Sequence, residues 1–111
     1  MNQYGIPDDE LTAIRARDTI CVYCRKSMIY PCVGKKQRDW ATIEHFNVVP
    51  PWNNPLTVAI CCGSCNSSRG TKKLMDWFKT PYCVERNINE NTVAQPVKNY
   101  LRLTTLAEAI K

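Results

Sequence analysis

The chain has 111 residues and a formal net charge of +5, and 23% of its residues are charged. A chain of this length fits one small domain that buries little apolar surface. We therefore expect an additional stabilising link, either disulfides or a bound metal. Three acids at positions 8–10 precede any apolar run, and no stretch approaches the roughly 18 apolar residues of a membrane span, which argues against a signal peptide and a membrane protein. We therefore expect a cytoplasmic, intracellular protein that does not bind a membrane.

The positive charge is concentrated in the middle of the chain. Residues 25–73 hold eight basic and two acidic residues, whereas the two flanks together hold seven basic and eight acidic residues. A local positive excess is typical of a surface that binds a polyanion such as DNA, and a solubilising surface has the same composition.

The first half of the chain predicts one helix and two strands. Acids followed by spaced apolar residues predict a short amphipathic helix over residues 8–16, and residues 18–40 are typical of an irregular loop. Residues 41–49 are rich in β-formers and predict a strand. A turn rich in Pro and Asn at residues 50–55 then leads to a partner strand at residues 56–61.

The second half of the chain predicts helices. One begins at Cys62 and ends or bends at Gly70, and Thr71 is placed to cap a following helix that runs through Phe78. Pro81 predicts a further helix start, because proline is favoured at the first helical position. The last predicted helix has an apolar face formed by Val97, Tyr100, Leu101, Leu103, Leu106 and Ile110.

Seven cysteines stand at positions 21, 24, 32, 61, 62, 65 and 83. The odd number argues against a fully paired disulfide framework, and in a reducing compartment thiol pairs more often hold metal. Two Cys-x-x-Cys pairs can each point both thiolates at one ion and together complete a tetrahedral shell. We predict a closed, structural zinc site whose ligands are Cys21, Cys24, Cys62 and Cys65.

The other three cysteines are excluded from this predicted site. Alternation along the strand points Cys61 away from the side that Cys62 takes. Cys32 and Cys83 have no cysteine at a ligand spacing, so we expect them to be small buried residues.

The interval between the two cysteine pairs contains the only histidine of the chain, His45, directly after Glu44. The order is an acid–His pair on a strand, a second strand, and then Cys-x-x-Cys-Asn-x-x-Arg-Gly at residues 62–70. Residues 21–70 resemble the HNH endonucleases, which place an acid–His pair on the first strand and this cysteine motif on the helix.

The resemblance implies a small α+β fold with a ββα-metal (HNH) core stapled by a four-cysteine zinc site. An N-terminal helix and a C-terminal helical extension would flank this core. The whole chain would then be a single HNH nuclease domain, with a core at residues 18–79 and a helical tail at residues 80–111.

The resemblance also implies a catalytic role for three residues. His45 would be the general base that activates water, a role that suits a neutral imidazole near pH 7. Glu44, on the opposite face of the strand by alternation, and the amide oxygen of Asn66 would hold one catalytic Mg²⁺ or Mn²⁺, whose remaining positions keep water and phosphate oxygens. The implied reaction is DNA phosphodiester hydrolysis to 5′-phosphate and 3′-hydroxyl ends.

One position departs from the family pattern. Thr57 stands where the family commonly has Asn or His, nine positions before the helix ligand. Its hydroxyl can replace part of the loop-fixing role through hydrogen bonds, and Asn53 or Asn54 in the preceding loop could do so instead. The sequence leaves this choice open.

The basic residues after the motif are candidate DNA contacts. Arg69, Lys72 and Lys73 are predicted to bind phosphate, and a solvated helix face would have the same composition. The helical tail could form a homodimer, and a protein partner could supply specificity. Phage, mobile-element and host-defence roles all fit a free-standing unit of this kind.

Two other function classes remain beside the DNA endonuclease. A non-catalytic zinc module that binds nucleic acid or a protein partner would have the same basic insert and the same four cysteines. A redox or disulfide protein fits less well, because Cys-x-x-Cys occurs twice here rather than once beside a βαβ pattern.

Overall fold

The structure, a computed structural model, describes residues 5–47 and 55–110, with side chains described up to residue 105. Over these ranges the chain forms a two-stranded sheet and five helices, and none of the helices described is long and apolar enough to cross a membrane. The elements are α1 (Asp8–Arg17), β1 (Ala41–His45), β2 (Val58–Cys62), α2 (Gly63–Arg69), α3 (Leu74–Trp77), α4 (Pro81–Arg86) and α5 (Gln95–Ile110). The predicted α+β class, with a helix towards each end, is confirmed.

Several predicted boundaries differ from the structure. The second strand begins at Val58 instead of residue 56, because residues 55–57 form the turn that enters it, and it continues to Cys62. The helix expected behind Thr71 begins only at Leu74, with Lys73 at its N-cap. The first strand, predicted over residues 41–49, ends at His45, because the chain bends at residues 46 and 47; residues 48 and 49 lie outside the described residues.

Strands β1 and β2 form an antiparallel hairpin whose two faces pack against different parts of the molecule. The register pairs Ala41 with Cys62 and His45 with Val58. One face joins a small apolar cluster that includes α1 and is formed by Ile6, Ile14, Ala41, Val58 and Ile60. The opposite face packs against α2, which follows β2 without a linker.

The outer edge of β2 is covered by the loop after α1. The Ile60 N–H donates to Asp18 Oδ2 at 3.0 Å, and the Ile60 carbonyl accepts from the Val22 N–H at 3.3 Å. Asp18 is buried and is also paired with Arg17, whose Nε lies 2.7 Å from Asp18 Oδ1. The loop that carries the first cysteine pair is therefore fixed against the sheet.

The larger apolar core lies between α2, α3 and α5. Trp77 is fully buried, and its ring meets that of Tyr23 edge to face at a centroid distance of 4.8 Å. Cys83 of α4 and Val97 of α5 belong to the same buried cluster. The predicted helical tail therefore joins the core through Val97, Tyr100 and Leu101, whereas Leu103, predicted for the same apolar face, is exposed.

Asp18 allows a test of this arrangement. Asp18→Ala leaves the buried Ile60 N–H without its acceptor, and we expect the free energy of unfolding to fall by about 1–3 kcal/mol. The exposed Asp39 is a matched control, for which Asp39→Ala should change stability by less than about 0.5 kcal/mol. Urea denaturation of both variants measures the difference, and equal midpoints would contradict the bracing role of Asp18.

Candidate functional site

Two chain segments bring four cysteine thiols together. The first pair lies in a tight turn, in which the Arg25 N–H donates to the Cys21 carbonyl at 3.0 Å and Arg25 has a φ of 66°. In the second pair, Cys62 ends β2 and caps α2, because its sulfur accepts the Cys65 N–H at 3.4 Å. The Sγ atoms of Cys21, Cys24, Cys62 and Cys65 all lie within 4.8 Å of one another.

The sulfur positions fit a tetrahedral metal ion. Zinc–sulfur bonds of about 2.3 Å place the sulfurs of a tetrahedron about 3.8 Å apart. The Sγ atoms of Cys24 and Cys62, from the two different segments, are 3.8 Å apart. All seven cysteines are free thiols, so the four clustered ones could hold a zinc ion as predicted.

The electrostatics of the cluster favour a cation. Hydrogen bonds with the other three thiols lower the pKa of Cys24, and the bond with Cys21 has the largest effect. The same network, again led by Cys21, raises the pKa of Cys65. Neighbouring thiolates oppose one another's ionisation, and a divalent ion removes this conflict by neutralising them.

The remaining cysteines lie outside the cluster. Cys61 is fully buried on the other side of β2, with its Sγ 3.9 Å from Thr42 Oγ1, and burial and the charge of Glu44 raise the pKa of its thiol. Cys83 is buried as expected, whereas Cys32 is only half-buried and its thiol donates to the Ala41 carbonyl at 3.4 Å. The strand alternation predicted for Cys61 is therefore present.

Tyr82 supports the cysteine cluster from α4. Its hydroxyl lies 2.9 Å from Ser64 Oγ and donates to Cys65 Sγ at 3.3 Å. Burial, followed by the hydrogen bond with Cys65, raises the pKa of Tyr82. Sequence reasoning missed this residue, because nothing near position 82 indicates that α4 returns to the cysteines.

Glu44 lies in a buried polar network. The Tyr23 hydroxyl donates to Glu44 Oε2 at 2.7 Å, and Arg69 Nη1 lies 3.2 Å from the same oxygen. The described residues provide no donor to the other oxygen, Oε1. Burial raises the pKa of the Glu44 carboxyl, and the nearby Arg69 and Tyr23 oppose this rise. Tyr23 was also missed, although it lies inside the first cysteine pair.

Arg69 does not face solvent as a phosphate contact would. Its side chain is 2% exposed, and it donates to the carbonyls of His45 at 2.8 Å, Phe46 at 2.6 Å and Lys72 at 2.7 Å besides Glu44. The prediction that Arg69 binds phosphate is wrong, because burial and four internal acceptors occupy the guanidinium. Arg69 instead ties the end of α2 to the end of β1.

The other predicted basic contacts are on the surface. Lys72 and Lys73 are both exposed, and Lys72 Nζ donates to the Ser68 carbonyl at 3.1 Å. Their role as phosphate contacts stays a prediction.

Asn66 faces β1 from α2. Its side-chain NH₂ donates to Thr42 Oγ1 at 3.0 Å and to the Ile43 carbonyl at 3.1 Å. Among the described residues no donor meets its amide oxygen, so this oxygen is available to a cation. Asn66 and Glu44 thus lie on the same, helix-facing side of β1.

His45 is the last residue of β1 and is half-buried. Its Nδ1 lies 3.0 Å from the Asn47 carbonyl, and a carbonyl oxygen can only accept. The neutral ring therefore carries its proton on Nδ1 and its lone pair on Nε2, which is the form that a general base requires. By strand alternation the His45 ring lies on the face opposite to Glu44.

Thr57 closes the same end of the hairpin as His45. It is half-buried, and its carbonyl accepts from the Phe46 N–H at 2.8 Å. Asn53 and Asn54, the alternatives for the middle motif position, lie outside the described residues. The structure therefore brings Thr57 next to His45 without deciding among the three.

Comparisons with known proteins do not extend this description: no family model, no curated protein and no solved structure matches the chain.

The cysteine cluster predicts a metal stoichiometry. We expect purified protein to contain close to one zinc per chain, and Cys24→Ser to lose most of it because one ligand of a closed tetrahedral shell is missing. Cys61→Ser is the matched control and should retain zinc. Elemental analysis tests this, and zinc loss in both variants, or two zinc ions per chain, would contradict the assigned ligand set.

The burial of Arg69 predicts a large effect on stability. Arg69→Met leaves the Glu44 carboxylate buried without its cation, and we expect a loss of about 3–5 kcal/mol in the free energy of unfolding. The pKa of the Glu44 carboxyl is already raised, and protonation removes the buried charge that Arg69→Met leaves without a partner. The loss of stability relative to the wild type should therefore shrink as the pH falls through that raised pKa. Lys73→Met, on the surface, should change stability by less than about 0.5 kcal/mol. Denaturation curves at several pH values provide the measurement. Similar losses of stability in Arg69→Met and Lys73→Met would contradict the role of Arg69 in joining α2 to β1.

Proposed function

We propose that the chain is a metal-dependent DNA endonuclease with a ββα-metal core of the HNH type. The observation that carries this proposal is the placement of three side chains on a hairpin and the helix that follows it. Glu44 and Asn66 lie on the helix-facing side of β1, and His45, the last residue of that strand, has its ring on the other face at the strand end.

The proposed catalytic cation is held by two oxygens. Asn66 suits this role because its NH₂ is fixed on the strand, which leaves the amide oxygen for the cation. Glu44 offers Oε1, since its Oε2 is already bound by Tyr23 and Arg69. Two oxygen ligands leave positions for water and phosphate, which is the coordination that Mg²⁺ tolerates. When bound, the cation supplies Lewis-acid stabilisation of the leaving oxygen.

The proposed proton transfer belongs to His45. The Asn47 carbonyl orients the ring by accepting from Nδ1, so Nε2 can take a proton from the attacking water. The water then attacks the phosphorus, and the bond to the 3′-oxygen breaks. The products carry 5′-phosphate and 3′-hydroxyl ends.

The four clustered cysteines have a separate role in this proposal. They would hold a structural zinc ion with four thiolate ligands, a set that leaves no position for water or substrate. The ion joins the loop after α1 to the start of α2 and supplies folding free energy that a small core lacks.

A second candidate is favoured by the burial of Glu44. Its side chain is 3% exposed and paired with Arg69, as in a purely structural ion pair. A zinc module that binds nucleic acid without cleaving it would need no more than this. In that function the Glu44–Arg69 pair only joins β1 to α2.

Plasmid cleavage distinguishes the two candidates. We expect the zinc-loaded protein to nick or linearise supercoiled plasmid with Mg²⁺ or Mn²⁺, and His45→Ala and Asn66→Ala to lower the rate by at least about 100-fold, the lower range for a general base. Asn99→Ala, an exposed asparagine on α5, is the matched control and should cleave normally.

Zinc content and the unfolding midpoint establish that each variant is folded. Cleavage by His45→Ala at the wild-type rate would overturn the assigned mechanism. Salt-sensitive DNA binding by a wild type that cleaves nothing would support the second candidate instead.

A further inference from the structure

A basic groove of about 530 Å³ lies beside the cysteine cluster, outside the site described above. Three cationic side chains from distant parts of the sequence line it, namely Lys36, Arg38 and Arg86, together with the hydroxyls of Ser64 and Ser67. None of the described residues that line the groove is acidic. The groove therefore has the charge and donors of an anion site.

One wall of the groove is fixed by backbone contacts. The Ser64 N–H donates to the Arg38 carbonyl at 3.0 Å, and the Gly63 N–H donates to the Trp40 carbonyl at 3.0 Å. A β-carbon at Gly63 would lie 3.3 Å from the Arg38 carbonyl oxygen, so glycine permits this close approach. The loop that carries Lys36 and Arg38 is thus held against α2 before any ligand binds.

Another part of the lining is a preorganised arginine. The guanidinium of Arg86 stacks on the Tyr82 ring at 3.8 Å, and its Nη1 donates to the Tyr82 carbonyl at 3.0 Å. Glu85 is the nearest acid, with its carboxylate 3.8 Å from Arg86 Nη1, and it is largely exposed. The described residues provide no acceptor to Nε or Nη2 of Arg86, so these donors remain for a ligand.

We propose that this groove binds the phosphodiester backbone of the DNA. The two arginine guanidiniums in its lining suit phosphate oxygens, which they bind through paired N–H donors. Helix α2 contributes Ser67 to the groove and Asn66 to the proposed cation site, so one element carries residues of both. The identity of the polyanion rests on the proposed function, and the groove takes the phosphate-binding role that the buried Arg69 does not fill.

DNA binding without catalysis tests the groove. Zinc-loaded full-length protein is titrated against a fluorescein-labelled DNA duplex of mixed sequence over a range of salt concentrations, with no Mg²⁺ or Mn²⁺ present. The groove variant carries Lys36→Gln, Arg38→Gln and Arg86→Gln. The control variant carries Lys79→Gln, Lys98→Gln and Arg102→Gln, which remove the same number of charges from positions outside the groove and outside the cysteine turns.

We expect the slope of log affinity against log salt to become shallower by about 2–3 in the groove variant and to change by less than about 1 in the control. Equal losses in the two variants, or no DNA binding by the wild type, would overturn the proposal. If the groove variant loses zinc or fails to fold, Lys36→Gln with Arg38→Gln alone repeats the test, because these side chains have no described partners.

The outcome is separable from that of the proposed function. Groove-dependent binding by a wild type that does not cleave DNA supports the groove and contradicts the nuclease. Cleavage by the wild type together with unaltered binding by the groove variant supports the nuclease and contradicts the groove.

Discussion

The structure depends on the junction at which β2 turns directly into α2. Cys62 is at once the strand partner of Ala41, the N-cap of α2 and one of the four clustered thiols. No linker separates the strand from the helix, so the direction of α2 is set by the hairpin and by the sulfur cluster together. This direction brings Asn66 and Arg69 against β1, and without it neither the candidate cation site nor the buried ion pair would form.

The buried pair of Glu44 and Arg69 affects stability and the proposed chemistry in opposite ways. Arg69 compensates a carboxylate whose side chain is only 3% exposed, and its other donors fix the carbonyls of His45 and Phe46. A cation that binds Glu44 must then share the carboxylate with a guanidinium, which opposes it electrostatically. The same pair that orders the end of β1 therefore weakens affinity for the proposed metal, and bound phosphate would have to contribute to holding it.

Features with a local cause could be predicted from the sequence. The Cys-x-x-Cys spacing predicts the sulfur cluster because each pair is shaped by its own turn, and Gly70 predicts the end of α2 because glycine adopts the observed φ of 53°. Features that depend on distant residues could not be predicted. The sequence near Arg69 does not indicate that β1 surrounds its guanidinium with acceptors, and the sequence near Arg86 does not indicate that it lines the same groove as Arg38. A charged residue on a helix is expected to lie on the surface, and only the packing of distant residues shows that Arg69 is buried.

The sulfur cluster also has a consequence for the order of folding. Cys24 and Cys62 are 38 positions apart, and the loop that they close contains the whole of β1. The Val22 N–H bond to the Ile60 carbonyl closes a loop of the same length as the thiols, so the two events share one loss of chain entropy. This edge bond and the cluster should therefore form and open together, and hydrogen exchange of the Val22 amide would report on a metal bound by the four thiols.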